Sequence, residues 1–313
     1  MLQEKTLNSQ LIPDFLIIGA GKSGTTSLDN YLKQHPDLYI CAKKEPNFFG
    51  YELNSPEDFA GSPEINHYNN SVTNIDDYLK LFEPANEGQL KGETSNTYMY
   101  HDKAAERIKH YNPEMKMLAV LRQPAERLYS RYLHLAREDR LPTPNFEDCL
   151  DKETIWWERN DLVKEGFYGK HLSKFYNLFR ADQIKVILYD EMRANPDQVL
   201  KSIFQFIGVS DHVEVDFSVE YNKSGFIKNK KVDALIGQNS RPKEFIKKIV
   251  PKSLFEKFKN QQFVQKRLND ARAKNLARPK LSQELKSQIT ENIYKDDILK
   301  LSQLINKDLT HWL

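Results

Sequence analysis

Apolar residues in this chain recur in short runs, separated by stretches with helical spacing. The runs are Phe15 to Ile18, Leu38 to Cys41, the segment near Leu90 to Glu93, Met115 to Leu121, and Ile184 to Tyr189. Strands buried on both faces have no polar side to show, so they read as continuous apolar segments rather than alternating ones. With amphipathic stretches between them, these runs predict an α/β class: a central parallel sheet of about five strands with helices on both faces. A helix is predicted over 195–207. Asn195 can cap it, Pro196 suits its first turn, Gly208 follows its end, and Leu200, Ile203, Phe204 and Ile207 form one apolar face. Residues 50–75 and 140–165 are polar and read as long loops, the second carrying Trp156 and Trp157. Those adjacent tryptophans would either line a carbohydrate site or anchor the core. After Gly225 the pattern turns helical and lysine-rich to about residue 280, and Leu281 to Leu313 shows apolar positions at helical spacing.

At 313 residues the chain fits one large domain, 1–313, with 223–313 as its helical, lysine-rich C-terminal part. Apolar content of 39% with 11% aromatics suits a globular protein. The formal net charge of +2 says little, but residues 223–280 hold seventeen Lys and Arg against four Asp and Glu. That excess suits peripheral contact with acidic surfaces, or simply a solvated set of lysine-rich helices. Cys41 and Cys149 stand far apart and in no metal-ligand spacing. Reduced thiols are expected, with a single disulfide as the alternative. The N-terminus lacks a signal peptide's apolar core, and no run approaches the roughly 20 apolar residues of a membrane span. A soluble, cytoplasmic protein is therefore expected.

The chemistry is concentrated in residues 14–28. The apolar run Phe15 to Ile18 breaks into Gly19, Gly21 and Gly24 around Lys22, then enters a helix through Thr25, Thr26, Ser27 and Leu28. Strand, glycine loop and helix N-terminus together build an anion cradle: glycines let backbone N–H groups approach, the helix dipole favours negative charge, and Lys22 adds a full one. The spacing is not that of a Walker A loop, whose first glycine would fall on Leu16. A second anion site is suggested by Arg122 at the end of the strand 115–121. Pro124 then starts a helix that carries Ser130 on a face shared with Arg127 and Arg131. A Walker B strand would end in Asp to organise Mg²⁺; this one ends in Arg. Ile184 to Glu191 imitates a Walker B strand but reads as a structural strand end. His35 beside Pro36 is expected to fix a turn, and His134 and His171 to have structural or surface roles.

The stretch Gly19-Ala20-Gly21-Lys22-Ser23-Gly24-Thr25-Thr26 resembles the 5′-phosphosulfate loop of sulfotransferases that use 3′-phosphoadenosine 5′-phosphosulfate, and Arg122 with Ser130 resembles their 3′-phosphate element. Further likenesses are His35-Pro36-Asp37-Leu38, Lys44-Glu45-Pro46-Asn47-Phe48-Phe49, Gly92-Glu93-Thr94-Ser95-Asn96-Thr97-Tyr98, Gly166-Phe167-Tyr168, Tyr221-Asn222-Lys223-Ser224-Gly225 and the C-terminal segment from Asp297 to Leu313. Together they resemble the Golgi-type and bacterial carbohydrate branch, including heparan sulfate sulfotransferase domains, over nearly the whole chain. The resemblance implies a P-loop-like three-layer fold and in-line sulfuryl transfer to a hydroxyl or amine of a carbohydrate, glycolipid or other metabolite, with no obligatory metal and no nucleic-acid partner. It implies Lys22 at the leaving group and Glu45 as general base, with Glu93 as the rival base. Gly21, Lys22, Ser23, Gly24, Thr25, Thr26 and Ser27 would hold the 5′-phosphate, Arg122 and Ser130 the 3′-phosphate, and Tyr168, Asn222, Lys223, Ser224 and Gly225 would complete the cofactor site. Glycosaminoglycan-sulfating members carry Lys at the position of Thr94 and Pro at that of Asn96, which argues against presuming a heparan-like acceptor. The rival functions are a Mg²⁺-dependent nucleotide kinase and a non-catalytic nucleotide- or polyanion-binding protein.

Overall fold

A computed structural model describes residues 11–218, 226–227, 276–277 and 279–313. Most of the lysine-rich segment, with Asn222, Lys223, Ser224 and Gly225, lies outside the described residues. Within it, Phe226–Ile227 pairs antiparallel with Leu276–Ala277, a two-stranded ladder where only helix was expected.

The five apolar runs form five strands: β1 (Phe15–Gly19), β2 (Leu38–Ile40), β3 (Leu90–Thr94), β4 (Lys116–Leu121) and β5 (Ile184–Leu188). All pairings are parallel, in the order β2-β3-β1-β4-β5. The longer helices are α1 (Thr25–Leu32), α2 (Ala104–Tyr111), α3 (Pro124–Arg137), α4 (Tyr168–Leu178), α5 (Pro196–Ile207), α6 (Gln283–Ile289) and α7 (Lys295–Ile305).

Strand side chains alternate between faces, so each strand feeds two cores. Phe15, Ile17, Leu118, Val120 and Ile187 pack on one side with Leu28 and Leu32 of α1 and Leu200, Ile203, Phe204 and Ile207 of α5. Leu16, Ile18, Met117, Ala119 and Leu121 pack on the other, against α2, α3, α4 and α7. Helices thus cover both faces, giving three layers. The C-terminal helices belong to the same core as the sheet, with Ile298, Leu301 and Trp312 buried in it.

Several local expectations change. Residues 50–75 are not a bare loop: they contain helical turns at Pro56–Phe59 and Ile65–Asn70. The 140–165 segment likewise contains Phe146–Leu150 and Ile155–Glu158. Trp156 is fully buried against Phe146 and Tyr132, and its Nε1 donates to Thr143 Oγ1 at 2.8 Å. Trp157 Nε1 donates to the Cys149 carbonyl at 2.9 Å, so the pair anchors the core. α5 ends at Gly208 in the left-handed conformation as predicted, but Asn195 makes no side-chain cap. Cys41 and Cys149 are free, buried thiols. Among the described residues no helix is long and apolar enough to cross a membrane.

Candidate active site

The C-terminal ends of parallel strands point their loops to one edge of the sheet, where ligands of such folds bind. Here β1 and β4 are adjacent, so the loops after Gly19 and Leu121 open into one cleft of about 1030 Å³ lined by Lys22, Glu45, Arg122 and Ser130.

The loop after β1 turns through Lys22 at φ +67° and enters α1 through Gly24 at φ +98°. At Gly24 a side chain would be both in a disfavoured conformation and within 2.7 Å of Met192. No side chain caps α1. Gly24, Thr25, Thr26 and Ser27 line the cleft, so the first helical turn, whose N–H groups the helix itself does not use, faces it. One amide of the loop is already engaged: Gly21 N donates to Glu165 Oε1 at 2.6 Å. Glu165 is held in turn by the fully buried Arg127, which also donates to the carbonyls of Asp161 and Leu162. A Cβ at Gly21 would sit 2.9 Å from that carboxylate, so close approach accounts for the glycine. Burial, together with Arg131, Arg137 and Lys44, pushes the Lys22 ammonium down to about 7. Lys44 Nζ reaches Thr26 Oγ1, tying the segment after β2 to α1.

β4 delivers Arg122, and α3 begins two residues later. Gln123 caps it, its Oε1 accepting from Glu126 N at 2.9 Å, and Pro124 takes the first position. The Arg122 guanidinium lies over the Tyr189 ring, 5.1 Å from its centroid. Ser130 and Arg131 line the cleft from α3, with Arg131 paired to Asp161. Arg127, expected on the same face, is instead fully buried, drawn inward by its pair with Glu165 and by the Asp161 and Leu162 carbonyls.

Glu45 stands in the left-handed region at φ +55°, its N–H donating to the Thr94 carbonyl at 2.9 Å. Its Oε1 accepts from Asn96 Nδ2 at 2.8 Å, and both residues line the cleft. Glu93 is different. It is fully buried, accepts from Tyr98 at 2.6 Å, Ser95 at 2.8 Å and Tyr78 at 3.2 Å, and has no share in the cleft lining. Burial raises its carboxyl to about 7 in spite of those three donors. Glu93 therefore ties the end of β3 to Ser95, Tyr98 and Tyr78.

A family described as "Sulfotransferase domain" matches residues 12–298. The chain belongs to the sulfotransferase family. Two mouse relatives, described as bifunctional heparan sulfate N-deacetylase/N-sulfotransferases 4 and 3, are 26% identical over 234 residues and 30% identical over 219. These alignments take in 72% and 67% of this chain but only 25% and 24% of the relatives, so the chain spans about a quarter of their length. Among solved structures, a sulfotransferase from Alicyclobacillus acidocaldarius superposes with a TM-score of 0.67 at 27% identity, covering 96% of this chain and 98% of that one.

In this sulfotransferase chain the cleft gathers Gly21, Lys22, Gly24, Thr25, Thr26, Ser27, Glu45, Arg122 and Ser130, all singled out from sequence. Ser23 and Tyr168 are fully buried and do not line it. Burial pushes the Tyr168 phenol above its ordinary range, and the buried hydroxyls of Ser23 and Tyr168 make no hydrogen bond. The same lining includes residues that the sequence did not mark as site residues: His67, Asn96, Tyr100, Asp161 and Glu165, and His134, for which a structural or surface role was expected. His134 follows Ser130 by four residues on α3, a helical spacing that would have found it. Burial, with Lys22 and Arg131, takes its imidazole down to about 3. Burial also lowers His67. The other expectations for histidine hold at His35, whose Nδ1 accepts from Asp37 N at 3.1 Å and whose Nε2 meets the Ser210 carbonyl at 2.8 Å. The Walker B imitation is a strand end: Asp190 and Glu191 are exposed, and Glu191 pairs with Lys307.

Proposed function

We propose that the chain transfers a sulfuryl group from 3′-phosphoadenosine 5′-phosphosulfate to a hydroxyl or amine of a carbohydrate, glycolipid or other metabolite. The observation that carries this reading is that Lys22 and Arg122, from the ends of adjacent strands, line one cleft together with Glu45, which is held to the end of β3 on the other side of β1. The residues present fit a doubly phosphorylated adenosine: an uncapped helix N-terminus beside an ammonium at one place, a guanidinium and a hydroxyl at another. Tyr31 and Phe217, edge to face at 5.1 Å, and Tyr189 offer ring faces to a purine in the same cleft.

When bound, the donor supplies the sulfuryl group. Lys22, with the first turn of α1, would balance the charge gathering on the leaving phosphate oxygen as its bond to sulfur breaks. Glu45 would take the proton of the acceptor oxygen or nitrogen as that atom bonds to sulfur, and Asn96 would keep the carboxylate facing the cleft. Positioning and charge balance are what such a transfer asks of a protein. The heparan sulfate relatives support a carbohydrate acceptor. His67 from the 50–75 segment and Asp161 from the 140–165 segment, both in the cleft, support an acceptor wall built from those two connections.

Calorimetric titration with 3′,5′-adenosine bisphosphate and, separately, with ATP and Mg²⁺ tests the class. The bisphosphate is expected to bind tightly without added metal, and Lys22→Ala to weaken it. Preference for ATP with Mg²⁺ would overturn the reading in favour of a kinase.

A further inference from the structure

The Arg122 end of the cleft holds a carboxylate where an anion site would be expected to hold none. Glu126, in the first turn of α3, offers Oε2 to Arg122 Nε at 3.2 Å and to Nη2 at 3.1 Å. Its Oε1 takes Lys286 Nζ at 2.7 Å, from α6 near the other end of the chain. All three residues line the cleft, with side chains 23–32% exposed. An exposed ion pair alone would mean little. Lys286, however, is built into place. The α3 cap Gln123 donates through Nε2 to Thr290 Oγ1 at 2.7 Å and to the Trp312 carbonyl at 3.1 Å. Thr290 Oγ1 itself donates to the Lys286 carbonyl at 2.8 Å. A buried polar chain therefore joins the start of α3, where Glu126 stands, to the backbone of Lys286.

We propose that Lys286 is a second cation for the donor's 3′-phosphate, beside Arg122, and that Glu126 competes with that phosphate for both cations. The inference rests on the donor reading above. One carboxylate shared by two cations leaves a surplus positive charge. A phosphate dianion brings two charges and three acceptor oxygens, enough to satisfy a guanidinium and an ammonium together. A carboxylate left beside the dianion would repel it, and Glu126, about a third exposed, is free to turn toward water. Its competition sets how tightly the site holds nucleotide, and so how readily the spent bisphosphate leaves.

The test is calorimetric titration of the full chain with 3′,5′-adenosine bisphosphate and with adenosine 5′-monophosphate, which differ only in the 3′-phosphate. Lys286→Met is expected to weaken the bisphosphate about tenfold, the loss of one charge-assisted hydrogen bond. It should leave the monophosphate within about twofold. Glu126→Gln should tighten the bisphosphate severalfold and change the monophosphate little. A Lys286 that merely docks α6 would lower the melting temperature and weaken both nucleotides alike, which overturns the proposal. So does unchanged bisphosphate affinity in Lys286→Met, or weakened affinity in Glu126→Gln. Should Lys286→Met fail to fold, the Glu126→Gln comparison decides by itself. A wild-type protein that binds neither nucleotide refutes the donor reading, a result distinct from one that binds the bisphosphate with no role for Lys286.

Discussion

Lys22 makes nucleotide binding depend on pH in a direction that can be worked out beforehand. Its ammonium is held down to about 7 by burial and by Arg131, Arg137 and Lys44, so the folded protein carries the charge below that pH and loses it above. A bound anion favours the charged form, and binding above pH 7 must then take up a proton. With a pKa of about 7, Lys22 is about three-quarters protonated at pH 6.5 and about 3% protonated at pH 8.5. If the bisphosphate binds the ammonium form alone, its affinity falls about 25-fold over that interval. Titrations at pH 8 in buffers of different ionisation enthalpy should register uptake of about 0.9 proton per nucleotide. Lys22→Met should bind more weakly at pH 6.5 and lose most of the slope. The nucleotide's own phosphates titrate near pH 6, about equally in both proteins, so the difference between the two slopes isolates Lys22. Equal slopes, or no proton uptake by the wild type, would refute the reasoning. Stability has its own signature. The unfolded chain keeps Lys22 protonated up to its ordinary pKa, so the folded form gains stability from about pH 7 to about 10.5, and Lys22→Met should lack that gain.

Glu45→Gln keeps the shape of the side chain and removes the base. Turnover of a confirmed acceptor should fall about 10²- to 10³-fold with bisphosphate affinity nearly unchanged, and near-normal turnover would exclude Glu45 as the base. Glu93, whose folded pKa is raised to about 7 by burial, keeps a proton that the unfolded chain releases from pH 4.5 upward. Its contribution is full below about pH 4.5 and lost as pH rises through 7, a change on the order of 3 kcal/mol. Urea midpoints should therefore shift in favour of Glu93→Gln between pH 5 and 8, and a constant offset would contradict this. Asp297 accepts from Gly169 N and Lys170 N at 2.8 Å each, capping α4 from α7. Asp297→Ala should cost about 1–2 kcal/mol of stability, read as a lower melting temperature, and a negligible loss would mean that α4 is held by packing alone.

Much of the frame was legible because the relevant forces are local or periodic. Five apolar runs became five strands, and Gly208 and the apolar face of 195–207 behaved as their spacing required. The anion loop was readable for the same reason: glycines, a lysine and a helix start must be neighbours in sequence to cradle an anion. What failed was judgement about direction. Arg127 lay on the right helix, but helical spacing does not say how a side chain divides between cleft and sheet, and the buried Glu165 claimed it. Ser23 sat in the right loop with its hydroxyl turned inward, and Asn195 preceded the right helix without capping it.

By itself the sequence determined the strands, the loop after β1, the arginine after β4 and the glutamate after β2, since each follows from short-range pattern and the rules of backbone conformation. Only the tertiary structure could show which of two carboxylates near strand ends, Glu45 after β2 or Glu93 in β3, reaches the cleft. Packing of Tyr78, Tyr98 and Ser95 around Glu93 seals it from the cleft, whereas a left-handed turn and the Asn96 amide hold Glu45 at the surface of it. The same holds for Lys286. No local pattern relates it to Arg122, and the two meet on Glu126 because buried contacts of Gln123 and Thr290 bring distant parts of the chain together.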